Sequence, residues 1–97
     1  MIQTERIAAM ERRLDKASAA VMRLSAAVDE YAAAQEAIRE LSNYYGGSEW
    51  KQDLADDEAG RLPQDLKRGV LSEDAIWNLL EDNKELVARA KELLSKA

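Results

Sequence analysis

A cluster of acidic residues in the middle of the chain comes closest to the pattern of a reactive site. Its members are Asp53, Asp56, Asp57 and Glu58. On a helix the three aspartates share one face, and carboxylate oxygens are ligands that calcium and magnesium prefer. The EF-hand calcium loop is not matched, because aligning its glycine with Gly60 places Ala55 at the first ligand position. We therefore expect a solvated acidic face, with no metal ion and no other cofactor.

The rest of the composition argues against catalysis. The sequence contains no histidine and no cysteine, which removes the commonest general base, the usual zinc ligands and the thiolate nucleophile. The segment Gly46-Gly47-Ser48 lacks the lysine that a phosphate-binding loop requires. No serine, threonine, lysine or tyrosine has an obvious base beside it. We expect no catalytic residues and no enzymatic activity.

Six residues of the same region are candidates for binding another protein. An exposed tryptophan is a frequent hot spot of protein interfaces, although a tryptophan is more often part of a core. A pair of basic residues could contact an anionic group, or could instead complement the negative end of the helical turn before it. The candidates are Trp50, Asp53, Asp56, Asp57, Lys67 and Arg68.

The charge distribution limits the class of partner. The net charge is −5, and residues 49–66 account for −4 of it, with two basic and six acidic residues. An acidic chain repels phosphate backbones, so we expect no direct binding of nucleic acid. The first residues are charged and open no apolar run, so we expect no signal peptide, no membrane association and a cytoplasmic location.

The apolar residues before the double glycine at 46–47 predict one long helix over residues 4–45. Their spacing alternates between three and four residues, which is the heptad pattern of a coiled coil. We call this row the heptad stripe; it comprises Ile7, Met10, Leu14, Ala17, Val21, Leu24, Val28 and Tyr31. The phase slips between Val28 and Ala34, where two spacings of three follow each other. A break there would let the helix fold back, but neither glycine nor proline marks one.

Residues 48–69 form a segment that we call the elbow. Ser48 is predicted to cap a short helix that ends near Ala59, with Gly60 as its C-terminal cap. Pro63 is predicted to open one more helical turn, which stops at Gly69. A last helix is predicted over residues 73–96, with Ser72 as its N-cap and a broad apolar face.

These elements predict an all-α protein with a single domain over residues 1–97. The long first helix and the shorter last helix are expected to form an antiparallel hairpin that is joined by the elbow. Because the last helix is shorter than the first, the hairpin would leave part of the heptad stripe exposed to water. We therefore predict a dimeric helical bundle, with parallel and antiparallel arrangements both open. The residues expected to mediate self-association are Ile7, Met10, Leu14 and Val21.

The elbow and its flanks also carry a family resemblance. The residues that carry it are Tyr44-Tyr45-Gly46, Glu49-Trp50, Asp57-Glu58, Gly60, Leu62-Pro63 and the run from Leu66 to Ala75. In these positions the chain resembles a bacterial family, the domain of unknown function 4298. The resemblance implies a small helical protein from a bacterium, and it supplies no activity and no site residues.

Three functions of different classes follow from these observations. The leading hypothesis is a non-enzymatic interaction module that self-associates and whose elbow docks on an unidentified protein. The alternative is an acidic inhibitor, or nucleic-acid mimic, that occupies a basic groove of a nucleic-acid-handling protein. A metal-dependent enzyme is the third and the least supported by the sequence.

Overall fold

The structure is a computed structural model that describes residues 2–97. It contains three α-helices, which are α1 (Gln3–Tyr44), α2 (Ser48–Glu58) and α3 (Ala75–Ser95), and one short 3-10 helix (Gly69–Leu71). No strand occurs in residues 2–97, so the prediction of an all-α protein is confirmed. None of the helices in this range combines the length and the apolar composition that a membrane crossing would require.

The contacts within the chain divide it into two units. The first unit ends at Gln35, and the second comprises Glu36–Ala97. The first unit consists of helical residues of α1, whereas the second contains the last part of α1, the elbow and α3. A single domain over the whole chain stays a prediction.

Helix α1 is continuous through the position where the heptad pattern slips. It has no glycine or proline from Thr4 to Tyr45, so no residue interrupts the backbone hydrogen bonds. The helix ends where Gly46 adopts a left-handed conformation, with φ of +76°. An L side chain rarely adopts this conformation, which explains why a glycine occupies the C-terminal cap.

Helix α2 ends in a second glycine cap and begins differently from the prediction. Gly60 has φ of +73°, and the N–H groups of Gly60 and Arg61 donate to the carbonyls of Asp57 and Asp56. This pair of bonds is the Schellman motif, which satisfies two terminal carbonyls of the helix. The prediction that Ser48 is the N-cap was wrong, because Gly47 holds that position and no side chain caps the helix.

The segment after Pro63 is a turn and not a turn of α-helix as predicted. The Leu66 N–H donates to the Pro63 carbonyl at 3.2 Å, which closes a four-residue turn. Between Pro63 and α3 the helical residues are those of the 3-10 helix, which begins at Gly69, where the predicted helical turn was expected to stop. Leu66, which ends this turn, is exposed.

Helix α3 begins at Ala75, and Ser72 still acts at its start. The Ser72 backbone is extended, and its Oγ accepts a hydrogen bond from the Ala75 N–H at 3.2 Å. This is the bond that a serine N-cap makes to the third residue after it. The prediction that Ser72 is the N-cap was wrong, because Asp74 holds that position and regular helix starts at Ala75, although the Ser72 hydroxyl still accepts from the first helical residue.

The buried core of the single chain is small. Among residues 2–97 the buried hydrophobic residues are Ala9, Leu71 and Ile76. Leu71 and Ile76 lie where the 3-10 helix meets the start of α3, whereas Leu86, Leu93 and Leu94 farther along α3 are exposed. A single copy therefore leaves a large apolar surface exposed to water. The antiparallel hairpin and the dimeric bundle stay predictions.

Candidate functional site

Two aromatic residues connect the end of α1 to the elbow and to the start of α3. The rings of Tyr45 and Trp50 meet edge to face, with centroids 5.1 Å apart and planes at 65°. The Trp50 indole N–H donates to the Val70 carbonyl at 3.0 Å, and the Tyr45 hydroxyl donates to the Glu73 carbonyl at 3.2 Å. Trp50 is half-buried, so its ring and its donor both serve the internal structure of the elbow.

Tyr44 engages the first aspartate of the acidic cluster. Its hydroxyl donates to Asp53 Oδ2 at 2.6 Å. This hydrogen bond is the main reason that the pKa of Tyr44 is raised to about 12, and desolvation and the negative charges of Asp53 and Glu49 raise it further. Ionising the phenol would place two anionic oxygens side by side, so the phenol stays protonated.

The other two aspartates of the cluster are bonded to arginines. Arg68 donates from Nη1 to Asp57 Oδ1, from Nη2 to the Pro63 carbonyl and from Nε to the Leu66 carbonyl. The planar guanidinium thus holds the turn at Pro63 against the end of α2. Asp56 forms an ion pair with Arg61 at 3.0 Å. Two carboxylates of the acidic cluster, Asp56 and Asp57, are therefore paired with a positive charge from within the chain.

Lys67 differs from its neighbour, since its side chain is exposed and lines an open apolar groove. The groove has a volume of about 430 Å³. Sequence reasoning did not single out its apolar residues, because they come from three separate elements that meet only in the fold. The groove is lined by Leu41, Lys67, Gly69, Val70, Ala75, Ile76 and Leu79.

The acidic residues do not assemble into a cation site. Within the part of the chain that the structure describes, no group of three or more acidic side chains is positioned to hold a metal ion. The bonds from Tyr44, Arg61 and Arg68 explain this arrangement, because each draws one carboxylate toward a different donor. The region can position side chains for contact with another molecule, but it offers no pair of groups arranged for proton transfer or nucleophilic attack.

The predicted self-association residues lie together on one face of α1. From Ile7 to Val28 the large aliphatic members of the heptad stripe are each more than half exposed, at 52–68% of the reference area. Monomeric proteins rarely expose a continuous apolar row of this length. These residues are Ile7, Met10, Leu14, Val21, Leu24 and Val28.

The six candidates for binding another protein are thus brought into one region but given different surroundings. Five of them are half-buried and engaged within the chain, whereas Lys67 is exposed; the five are Trp50, Asp53, Asp56, Asp57 and Arg68. Docking of the elbow on another protein stays a prediction. Sequence reasoning did not include Tyr44 and Tyr45, which directly precede the double glycine before the elbow, among the candidate site residues.

Comparison with known proteins assigns the chain to a family. No curated protein and no solved structure matches the chain. Residues 7–93 match the family described as "Domain of unknown function (DUF4298)". Because the match covers both the elbow and most of the two long helices, the chain belongs to the DUF4298 family.

Proposed function

We propose that this chain is a non-enzymatic interaction protein that acts as a homodimer, and that the heptad stripe of α1 is the dimer surface. The observation that carries the proposal is the exposure of six large aliphatic residues on one face of a continuous helix. In water such a row is unfavourable, and a second copy of the same row covers it with matching periodicity.

Burial of the stripe supplies a favourable free energy of the same order as the cost of bringing two chains together. Burying the exposed half of a large aliphatic side chain is worth about 1 kcal/mol. Six such residues in each of two copies would therefore supply on the order of 10 kcal/mol. The loss of translational and rotational freedom opposes this with roughly 4–15 kcal/mol.

The non-enzymatic part of the proposal is supported by the state of the acidic cluster. Asp53, Asp56 and Asp57 are bonded to Tyr44, Arg61 and Arg68. A catalytic carboxylate must be free to exchange a proton or to bind a metal ion. The same bonds also weaken the case for the alternative function, an acidic mimic of nucleic acid. A mimic needs carboxylates that face a basic partner, whereas these carboxylates are bonded within the chain.

Sedimentation equilibrium of the full chain at micromolar concentration tests the proposal. We expect the mass of a dimer, and we expect Leu14→Glu to convert it to a monomer, because a charge in the middle of the stripe would be buried without a partner. Met22→Glu is the matched control, since Met22 is also apolar, is 72% exposed and lies off the stripe.

The outcome of the control decides the interpretation. A dimer that Leu14→Glu dissociates and Met22→Glu leaves intact would support the stripe as the interface. A single-chain mass for the natural protein, or equal dissociation by both variants, would refute it.

A further inference from the structure

We infer that the two copies of α1 run parallel and in register over residues 7–31, as a two-stranded coiled coil. This inference rests on the proposed function, because it concerns the arrangement of the same dimer surface. Three observations carry it. They are the residue types at the core positions of the heptad, the charges that flank the core, and the lack of a salt bridge between those flanking charges and other side chains of residues 2–97.

The core positions of the stripe are consistent with a two-stranded coiled coil. In heptad notation the a positions are Ile7, Leu14, Val21 and Val28, and three of these four residues are β-branched. The d positions include Leu24 and contain no β-branched residue. The other d positions are Met10, Ala17 and Tyr31. β-Branched residues at a favour two strands over three or four in a parallel coiled coil, because the side chains then fit the holes of the facing helix.

The charges that flank the core match only when the copies are parallel. Arg6 holds a g position and Glu11 holds the following e position. In a parallel pair the g residue of one helix faces the next e residue of the other. Arg6 then faces Glu11 of the second copy, and the two-fold symmetry repeats this ion pair.

In the antiparallel pair that aligns the same stripe, each flanking charge meets a small residue. Ile7 would then lie opposite Tyr31, so g positions would face g positions and e positions would face e positions. Arg13 would face Ala27, and Glu11 would face Ser25. The antiparallel arrangement therefore gains no ion pair beside the core.

The remaining charges of this region favour the antiparallel arrangement, but only weakly. Residues 5–23 have five basic and three acidic residues, for +2, and Asp29 and Glu30 give −2. Apart from Arg6, Arg13 and Glu11, these charges occupy b, c and f positions, which point away from the partner. Their separation across the dimer exceeds the Debye length of about 8 Å in physiological salt, so the charges in direct contact dominate.

Arg6 and Glu11 are available for these contacts. Both side chains are exposed, and the structure of residues 2–97 records no ion pair of either with another side chain of the same chain. Forming the intermolecular pair would therefore not require an existing salt bridge to break.

Disulfide formation distinguishes the two arrangements, because the natural chain contains no cysteine. In the parallel dimer, Leu14→Cys places two thiols at facing a positions, within reach of a disulfide. In the antiparallel dimer, the two copies of residue 14 would be about 15 Å apart along the axis. In the antiparallel dimer, only a mixture of Leu14→Cys chains with Leu24→Cys chains would form a disulfide between the two copies. Ala26→Cys, at an outward f position, gives the background of random collisions.

We expect Leu14→Cys alone to form a disulfide-linked dimer in a glutathione redox buffer and Ala26→Cys to remain largely reduced. A natural protein that sediments as a dimer, combined with cross-linking only in the Leu14→Cys and Leu24→Cys mixture, would overturn the parallel arrangement and leave the proposed function intact. A natural protein that sediments as a monomer would overturn both.

Charge exchange provides a second readout that needs no cysteine. We expect Arg6→Glu to weaken dimerisation about ten-fold, because two attractive pairs become repulsive. The double variant with Arg6→Glu and Glu11→Arg should restore the natural affinity, since the pair is re-formed with its signs exchanged. Failure of the double variant to recover the loss would contradict the parallel register.

Discussion

At the scale of single residues, the bonds of the elbow explain why its polar residues are compatible with the fold. Tyr44, Trp50 and Arg68 each donate a hydrogen bond to a residue between 9 and 20 positions away in the sequence. A half-buried polar group that lacks a partner is unfavourable, so each bond removes a penalty as well as adding an attraction. The identity of these residues could be read from the sequence, but their partners could not, because only the fold brings them together.

Tyr44 gives the elbow a dependence on alkaline pH. The pKa of its phenol is raised to about 12 from an ordinary value of 10.0. Because the folded state holds the proton more tightly than the unfolded state, the stabilisation is fully present below pH 10 and is lost as the pH rises toward 12. Unfolding by urea at several pH values should show a steeper loss of stability over this range in the natural protein than in Tyr44→Phe.

Asp53→Asn is the complementary variant, because it removes the carboxylate that is the main cause of the shift. The absorbance change of tyrosinate should then occur at a lower pH than in the natural protein. If the natural protein and Tyr44→Phe lost stability in parallel from pH 10 to pH 12, the bond between Tyr44 and Asp53 would not contribute as described.

At the scale of secondary structure, two glycines with positive φ determine where α1 and α2 end. Gly46 and Gly60 were both predicted as caps from their positions after apolar helical patterns, and both adopt the left-handed conformation. The start of α2 and the turn after Pro63 were predicted wrongly, because serine and proline are compatible with several local conformations. Glycine at a helix C-terminus is the more restrictive signal.

Gly60→Ala is expected to lower the free energy of unfolding by about 1 kcal/mol, because a β-carbon disfavours the left-handed backbone. No atom lies within 4 Å of the position that this carbon would take, so the loss comes from the backbone conformation alone. Gly69→Ala is the matched control. Its added carbon also meets nothing within 4 Å, and its φ lies outside the left-handed range.

Urea denaturation of both variants measures the difference. Gly69→Ala should leave the stability unchanged or raise it by about 0.5 kcal/mol, through the smaller entropy of the unfolded chain. Equal stability of the two variants would contradict the role of Gly60 as a conformational cap.

At the scale of the whole molecule, the all-helical class and the family could be predicted from the sequence, whereas the packing could not. The heptad stripe predicted the helix, and its continuity through Val28–Ala34 followed from the absence of glycine and proline. Which surface covers the stripe depends on assembly, because the periodicity of one helix predicts an apolar face and not what packs against it. The groove beside Lys67 was unpredictable for a related reason, since three elements contribute to it.

Dilution should affect the two units differently if the dimer forms through the stripe. Most of the stability of a protein helix comes from packing of its apolar face, so far-ultraviolet circular dichroism should report loss of helix when the protein is diluted below the dissociation constant. Both tryptophans, Trp50 and Trp77, lie within Glu36–Ala97. Their fluorescence should remain constant over the same dilution, because the bonds of the elbow lie within one chain.

Leu14→Glu is the reference for this measurement. At all concentrations it should show the lower helix content that the natural protein reaches only on dilution. A natural protein whose helix content is independent of concentration, while Leu14→Glu is less helical, would contradict the coupling of association to helix stability.

The short sequence separation of the elbow bonds has a consequence for folding kinetics. The hydrogen bonds of Tyr44, Arg68, Trp50 and Tyr45 join residues that are 9, 11, 20 and 28 positions apart. Closing such short loops loses little chain entropy, and domains with mostly local contacts fold within microseconds to milliseconds. The elbow should therefore be complete long before two chains meet by diffusion at micromolar concentration, so that assembly joins partners whose elbows are already folded.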